Sequence, residues 1–144
     1  MNAASTLADR QATVVARMQA LPDWKARYRA IIETGRALPP YPDEHRTEKL
    51  KIKGCQSQVW LHATLDGDRM QLQADSDAEI VRGLVALVVE IFEGATPDEI
   101  LTARIDFVDE LGLSKNLSVT RANGLMAMIR QIQLYATVFR ALAR

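Results

Sequence analysis

The spacing of apolar positions changes period along the chain, and each change marks an element. Leu7, Val14, Val15, Met18 and Leu21 recur at helical intervals, which predicts a helix over about the first 20 residues. Pro22-Asp23 interrupts it. Asp23 can accept hydrogen bonds from the free amides of the next turn, and Trp24, Tyr28, Ile31 and Ile32 then give a second helix that stops near Gly35. Leu38-Pro39-Pro40-Tyr41-Pro42-Asp43 excludes regular structure, because proline fixes φ and removes a donor; it predicts a stiff connector.

Beyond the prolines the period falls to two. Leu50 and Ile52 alternate with Lys49, Lys51 and Lys53, and Val59, Leu61, Ala63 and Leu65 alternate with Trp60, His62 and Thr64. After Asp66-Gly67-Asp68, which suits a tight hairpin turn, Met70, Leu72 and Ala74 alternate with Arg69, Gln71 and Gln73. The pattern therefore predicts three strands in meander order. Ser76-Asp77-Ala78-Glu79 has the capping-box pattern of a helix start, and Ile80, Leu84, Leu87, Val88, Ile91 and Phe92 form the buried stripe that follows, as far as Gly94. Thr96-Pro97-Asp98-Glu99 starts a short helix to about Leu101, and a less regular stretch carries Phe107, Val108, Leu111 and Leu113. A last helix from Ser118 or Thr120 presents Leu125, Met128, Ile129, Ile132, Ala136, Phe139 and Leu142. The expected fold class is α+β: a three-stranded antiparallel meander with helices on one face, in the order α-α-β-β-β-α-α-α, forming a single domain over residues 1–144.

Composition narrows the chemistry. A hydrophobic fraction of 48% with 25% charged residues is that of a soluble globular chain. Eighteen basic side chains balance eighteen acidic ones, so neither nucleic acid nor an anionic membrane would attract the molecule as a whole. No apolar run is long enough to span a bilayer and no secretory leader is visible, so the expected compartment is the cytoplasm. The single cysteine, Cys55, forms no internal disulfide; in a reducing compartment it is either packing or a reactive thiol.

Cys55 falls on the expected turn between the first two strands, and Gly54 before it permits the positive φ that a sharp turn needs. Lys51 and Lys53 would lower the thiol pKa if their ammonium groups came close. Gln56, Ser57 and Gln58 are uncharged hydrogen bonders suited to ordering the loop or meeting a partner's backbone. Val59, Trp60 and nearby apolar side chains are expected to shelter the idle thiol from oxidation. No metal site is expected, since His45, Cys55 and His62 stand ten and seven residues apart and match no common zinc pattern.

The octet Gly54-Cys55-Gln56-Ser57-Gln58-Val59-Trp60-Leu61 resembles the signature of the SufE family, sulfur acceptors that take a persulfide sulfur from a cysteine desulfurase for iron–sulfur cluster assembly. Ser76-Asp77-Ala78-Glu79-Ile80-Val81-Arg82-Gly83-Leu84 and Thr120-Arg121-Ala122-Asn123-Gly124-Leu125 extend the likeness, which runs from about Trp24 to the C-terminus. The resemblance implies that Cys55 forms the persulfide, stimulates a desulfurase of the SufS or CsdA kind and passes its sulfur to an iron–sulfur scaffold or another acceptor. It implies no cofactor on this chain, the desulfurase carrying pyridoxal phosphate, and no stand-alone enzymatic activity. An iron–sulfur scaffold would want several cysteines, so one thiol suits delivery of sulfur and not assembly.

Two charged residues admit more than one use. Arg121 opens the last helix, where the dipole disfavours a cation, which hints at a carboxylate on a partner or at the anionic sulfur; a solvated arginine is the plain alternative. Asp77 reads first as a helix-start charge, and its family counterpart lies near the reactive loop. Asn123-Gly124 suggests close backbone approach to a neighbour such as the Cys55 loop. The other reading of the thiol is a hydrolase or peroxidase nucleophile paired with His62 or His45.

Overall fold

The computed structural model describes residues 5–143. Two helices come first, α1 (Leu7–Gln19) and α2 (Trp24–Arg36). Thr6 and Asp9 cap α1 reciprocally, each side chain accepting from the other's backbone amide, and Asp23 accepts from Ala26 N at 2.8 Å to start α2. The stretch expected before Ser5 lies outside the described residues.

Among the described residues the sheet has two strands, not three: β1 (Val59–Asp66) and β2 (Arg69–Ser76) pair antiparallel in the order β1-β2. The lysine-rich run expected as a first strand is a 3-10 turn, Glu48–Leu50, followed by a single bridge from Lys51 to Trp60. Thr47 explains the difference. Its hydroxyl accepts from Leu50 N at 3.4 Å and coils the backbone that would have extended, so only Ile52 N, donating to Val59 O at 2.8 Å, reaches the sheet.

The register puts Val59, Leu61, Ala63 and Leu65 opposite Ser76, Ala74, Leu72 and Met70, and Trp60 and His62 opposite Asp75 and Gln73. The first set is the inner face, on which α3 (Glu79–Phe92) and α7 (Val119–Leu142) pack. Trp60 points the other way, under the connector, where the Arg46 guanidinium lies 5.1 Å from its ring and 5.2 Å from that of Tyr41. The free edge of β2 is closed by the chain after α3: Met70 N donates to Ala95 O, Gly94 N to Met70 O, and Leu72 N to a Glu93 carboxylate oxygen at 2.5 Å.

The capping-box expectation at Ser76 is corrected. Ser76 ends β2 and is buried, and α3 starts from Ala78 without a side-chain cap. Between α3 and α7 lie three short helices, α4 (Pro97–Thr102), α5 (Phe107–Glu110) and α6 (Leu113–Asn116), so five helices follow the sheet where three were expected. Gln11 on α1 fastens this region: its Oε1 accepts from Asp106 N and Phe107 N, and its Nε2 donates to Arg104 O, all at 3.0 Å. One apolar cluster runs from Leu7 to Ala136 and takes in the inner face of the sheet, α3 and α7.

Gly35 and Gly83 set the approach of α2 to α3. A Cβ on Gly83 would stand 2.2 Å from Ile31 O, and one on Gly35 would stand 2.7 Å from Gly83 N. Gly35 is thus a packing residue inside α2, one position before its end, and not a helix terminator.

Candidate functional site

The loop from residue 53 to 58 leaves the Ile52–Val59 hydrogen bond and returns to it, so both of its ends are pinned to the sheet. Gly54 takes φ +87° at the turn, in the region that L side chains avoid. The far end is clasped a second time. Gln58 N donates to one Asp77 carboxylate oxygen at 3.0 Å, Gln58 Nε2 approaches the other at 3.3 Å, and Asp77 N donates back to Gln58 O at 3.2 Å. Asp77 therefore lies before the first residue of α3 and holds the loop.

Cys55 is half-buried, and its thiol sits against the first turns of α7. Its Sγ lies 3.8 Å from Gly124 O, the only hydrogen-bond partner of the sulfur among the described residues. A Cβ on Gly124 would stand 3.4 Å from that sulfur, so this glycine gives the thiol its seat. Beside the seat is an apolar dimple of about 10 Å³, bounded by Val59, Leu84, Val85, Leu125 and Met128 with Arg121 at its margin. That is room on the scale of a single small molecule such as water.

Burial pushes the Cys55 thiol up from its ordinary pKa, and no cation offsets it. The lysines do not play the part their positions suggested. Lys51 is engaged by Glu48, with Nζ to Oε1 at 2.7 Å, and Lys53 is exposed. At rest the thiol is thus predominantly protonated at neutral pH and is held in a partly apolar seat, a quiescent arrangement.

The remaining predicted residues divide between this place and another. Arg121 is exposed in the first turn of α7, where Ser118 caps the helix by accepting from Arg121 N at 3.2 Å. Gln56 and Gln58 are exposed and Ser57 is half-buried. Trp60 is not part of the seat: strand alternation turns it to the opposite face from Val59. The two histidines are also on that far face, where the His45 and His62 rings stack with centroids 3.9 Å apart and His62 Nδ1 meets Gln73 Oε1 at 3.4 Å. Neither hydrogen-bonds the thiol, so the geometry supplies no histidine base for the hydrolase or peroxidase reading. Among the described residues no group of three or more His, Cys, Asp or Glu side chains is placed to hold a metal ion, and no helix is long and apolar enough to cross a membrane.

One buried charged residue outside the seat gave no signal along the chain. Asp75 has a 12% exposed carboxylate that takes Arg46 at 2.8 Å and Arg82 at 2.9 Å, and only the register that sets it opposite Trp60 reveals its place.

Comparison with known proteins bears on the chain as a whole. Residues 12–136 match the family model SufE, described as an Fe-S metabolism associated domain. A SufE-like protein of Rhizobium meliloti (strain 1021) is 48% identical over 120 residues, covering 78% of this chain and 84% of that protein. A SufE-like protein of Rhizobium etli is 44% identical over 123 residues, covering 82% and 83%, and one of Synechocystis sp. is 37% identical over 136 residues, covering 94% and 86%. The solution structure of a hypothetical protein from Thermus thermophilus superposes with a TM-score of 0.76 over 94% of this chain and 97% of that one; at 23% identity it supports the fold alone. With a matching family model over most of its length and SufE-like relatives at these identities, the chain belongs to the SufE family, whose domain is associated with iron–sulfur metabolism.

Proposed function

We propose that this protein is a sulfur carrier that accepts a persulfide sulfur onto Cys55 from a cysteine desulfurase. The observation that carries the reading is the seat of the thiol: the sole cysteine, in the family's octet, on a loop hinged at Gly54 and resting on the Gly124 backbone. In the step proposed, the Cys55 thiolate attacks the terminal sulfur of the donor persulfide. The sulfur–sulfur bond of the donor breaks, its cysteine leaves as a thiolate, and Cys55 becomes the persulfide, with no net oxidation or reduction.

The desulfurase, carrying its own pyridoxal phosphate, supplies the sulfur, and this chain brings no cofactor. Removing the donor's persulfide frees the enzyme for another turnover, which accounts for stimulation. An iron–sulfur scaffold or another acceptor then takes the sulfur, and the exchange proceeds in the cytoplasm. Docking must draw the loop off Gly124, because a thiol kept protonated in its seat is a poor nucleophile. Arg121, exposed beside the seat, and Gln56, at the loop surface, are the groups offered to the partner.

The test is mass analysis of the whole protein after incubation with a desulfurase, pyridoxal phosphate and cysteine. The expected result is a gain of one sulfur atom, reversed by a thiol reductant and missing in Cys55→Ser. An unchanged mass in the native chain, or the same gain in Cys55→Ser, overturns the reading.

A further inference from the structure

The crossing of α2 and α3, where it meets the connector and the end of β2, creates a second feature. Arg36 and Arg82 each adjoin one of the two glycines, Gly35 and Gly83, that let the helices touch, so the contact brings two guanidiniums to one cleft. The connector adds Arg46 and a rigid apolar wall, Pro39, Pro40 and Tyr41. The cleft has a volume of about 380 Å³, within the usual range for small-molecule sites.

Its arginines are held in place while keeping donors free. Asp75 anchors Arg46 at 2.8 Å and Arg82 at 2.9 Å, and the Arg82 Nη2 also donates to Ser76 O at 3.1 Å. Arg46 is further fixed by the Tyr41 and Trp60 rings and by Asp43, whose side chain is 96% exposed. Among the described residues Arg36 meets Glu79 alone, at 3.2 Å, with both side chains more than 60% exposed. A pair that open to water is weak and easily exchanged. Among the described residues the Nη1 of all three arginines takes no protein hydrogen bond. Glu79 on Arg36 and the lining carboxylates Asp43 and Asp75 balance the three guanidiniums in charge, so it is the unpaired Nη1 donors and the weakly held Arg36–Glu79 pair that are open to an anion.

We propose that this cleft binds a small organic oxyanion, a carboxylate or a phosphate, through Arg36, Arg46 and Arg82. Planar guanidiniums match both anions with paired donors, and prior anchoring by Asp75 and the aromatic rings spares most of the ordering cost of binding. The proline wall gives the carbon skeleton of the ligand a surface to lie on. The site does not rest on the sulfur-transfer reading and uses none of its residues.

The test is a two-dimensional amide NMR titration of the full chain with malonate and, separately, with inorganic phosphate, each against sodium chloride at matched ionic strength. The expected result is a saturable shift of the Gly35, Arg46 and Arg82 amides with at least one of the two, and preference between them identifies the ligand class. Arg36→Gln removes one charge-assisted contact from an exposed position and should weaken binding about tenfold, whereas Arg130→Gln, on the outer surface of α7, and Cys55→Ser should leave it unchanged. Shifts that follow chloride without saturating, or that persist undiminished in Arg36→Gln and Arg82→Lys, overturn the proposal.

Discussion

The sulfur of Cys55 rests 3.8 Å from the carbonyl oxygen of Gly124, and a methyl group on that glycine would come within 3.4 Å of the sulfur. A residue of the last helix, 69 positions along the chain, thus determines how much room the thiol has. The contact ties the chemistry of one loop to the absence of one side chain.

Gly124→Ala separates stability from sulfur acceptance. Gly124 lies inside α7, where alanine is favoured over glycine by about 0.5–1 kcal/mol, and the added methyl meets the sulfur at ordinary contact distance. The variant is expected to melt slightly higher than the native chain and to gain sulfur from a desulfurase more slowly, because the space beside Sγ is filled. A paired measurement of thermal unfolding and persulfide formation checks both halves.

Gly83→Ala should act in the opposite direction. The same methyl placed there would stand 2.2 Å from the Ile31 carbonyl oxygen, a backbone atom that cannot turn aside. Forced separation of α2 from α3 is expected to cost about 1–3 kcal/mol, read as a lowered midpoint in urea with an unchanged slope.

Asp77→Ala removes the clasp on the Cys55 loop, with the two bonds from Gln58 to its carboxylate. Alkylation of Cys55 in the free protein is expected to accelerate several-fold while overall stability falls by about 1 kcal/mol, the worth of a typical hydrogen bond. Asp77→Asn, which keeps an acceptor for Gln58 N, should lie between the native and alanine forms. Equal alkylation rates in all three would show that the clasp does not restrain the loop.

The pH dependence of that alkylation follows from burial. Because the folded chain raises the thiol pKa, the favourable contribution of the protonated, seated thiol is full below the ordinary thiol value and is lost as pH rises through the folded value. The alkylation profile of the folded protein is therefore expected to have its midpoint above that of the urea-unfolded chain. Binding of a desulfurase that draws the loop out should bring the midpoint down.

Glu93 offers a second pH test, remote from the thiol. Burial raises its carboxyl pKa, although the bond from Leu72 N pulls the other way. The sign is the same: stability is greatest below the ordinary carboxyl value and declines as pH climbs through the raised one. Glu93→Gln retains an oxygen for Leu72 N without the charge, so it should flatten this decline and raise the melting temperature at neutral pH.

Much of the architecture was legible because helices announce themselves over many turns. The stripes of α3 and α7 and the starts at Asp23, Thr96 and Ser118 are local signals, decided by side chains a few positions apart. The first of the three expected strands was misread for the same reason in reverse. Two apolar residues among three lysines satisfy an alternating pattern, but Thr47 caps a competing turn, and a run that short yields to it.

By itself the sequence determined α1 to α4 and α7, the hairpin at Gly67 and the reactive candidate, since Gly54-Cys55 needs only its neighbours to mark a sharp turn with a thiol beside it. Tertiary structure alone decided the surroundings of that thiol. Val59 and Trp60 are adjacent in the chain yet face opposite sides of the sheet, Asp77 turned out to hold a loop and not a helix end, and Gly124 and the Arg36–Arg46–Arg82 cleft came together from segments far apart. The reason is that burial, which sets the thiol's protonation, and register, which selects its neighbours, are properties of the packed whole and leave no trace in local order.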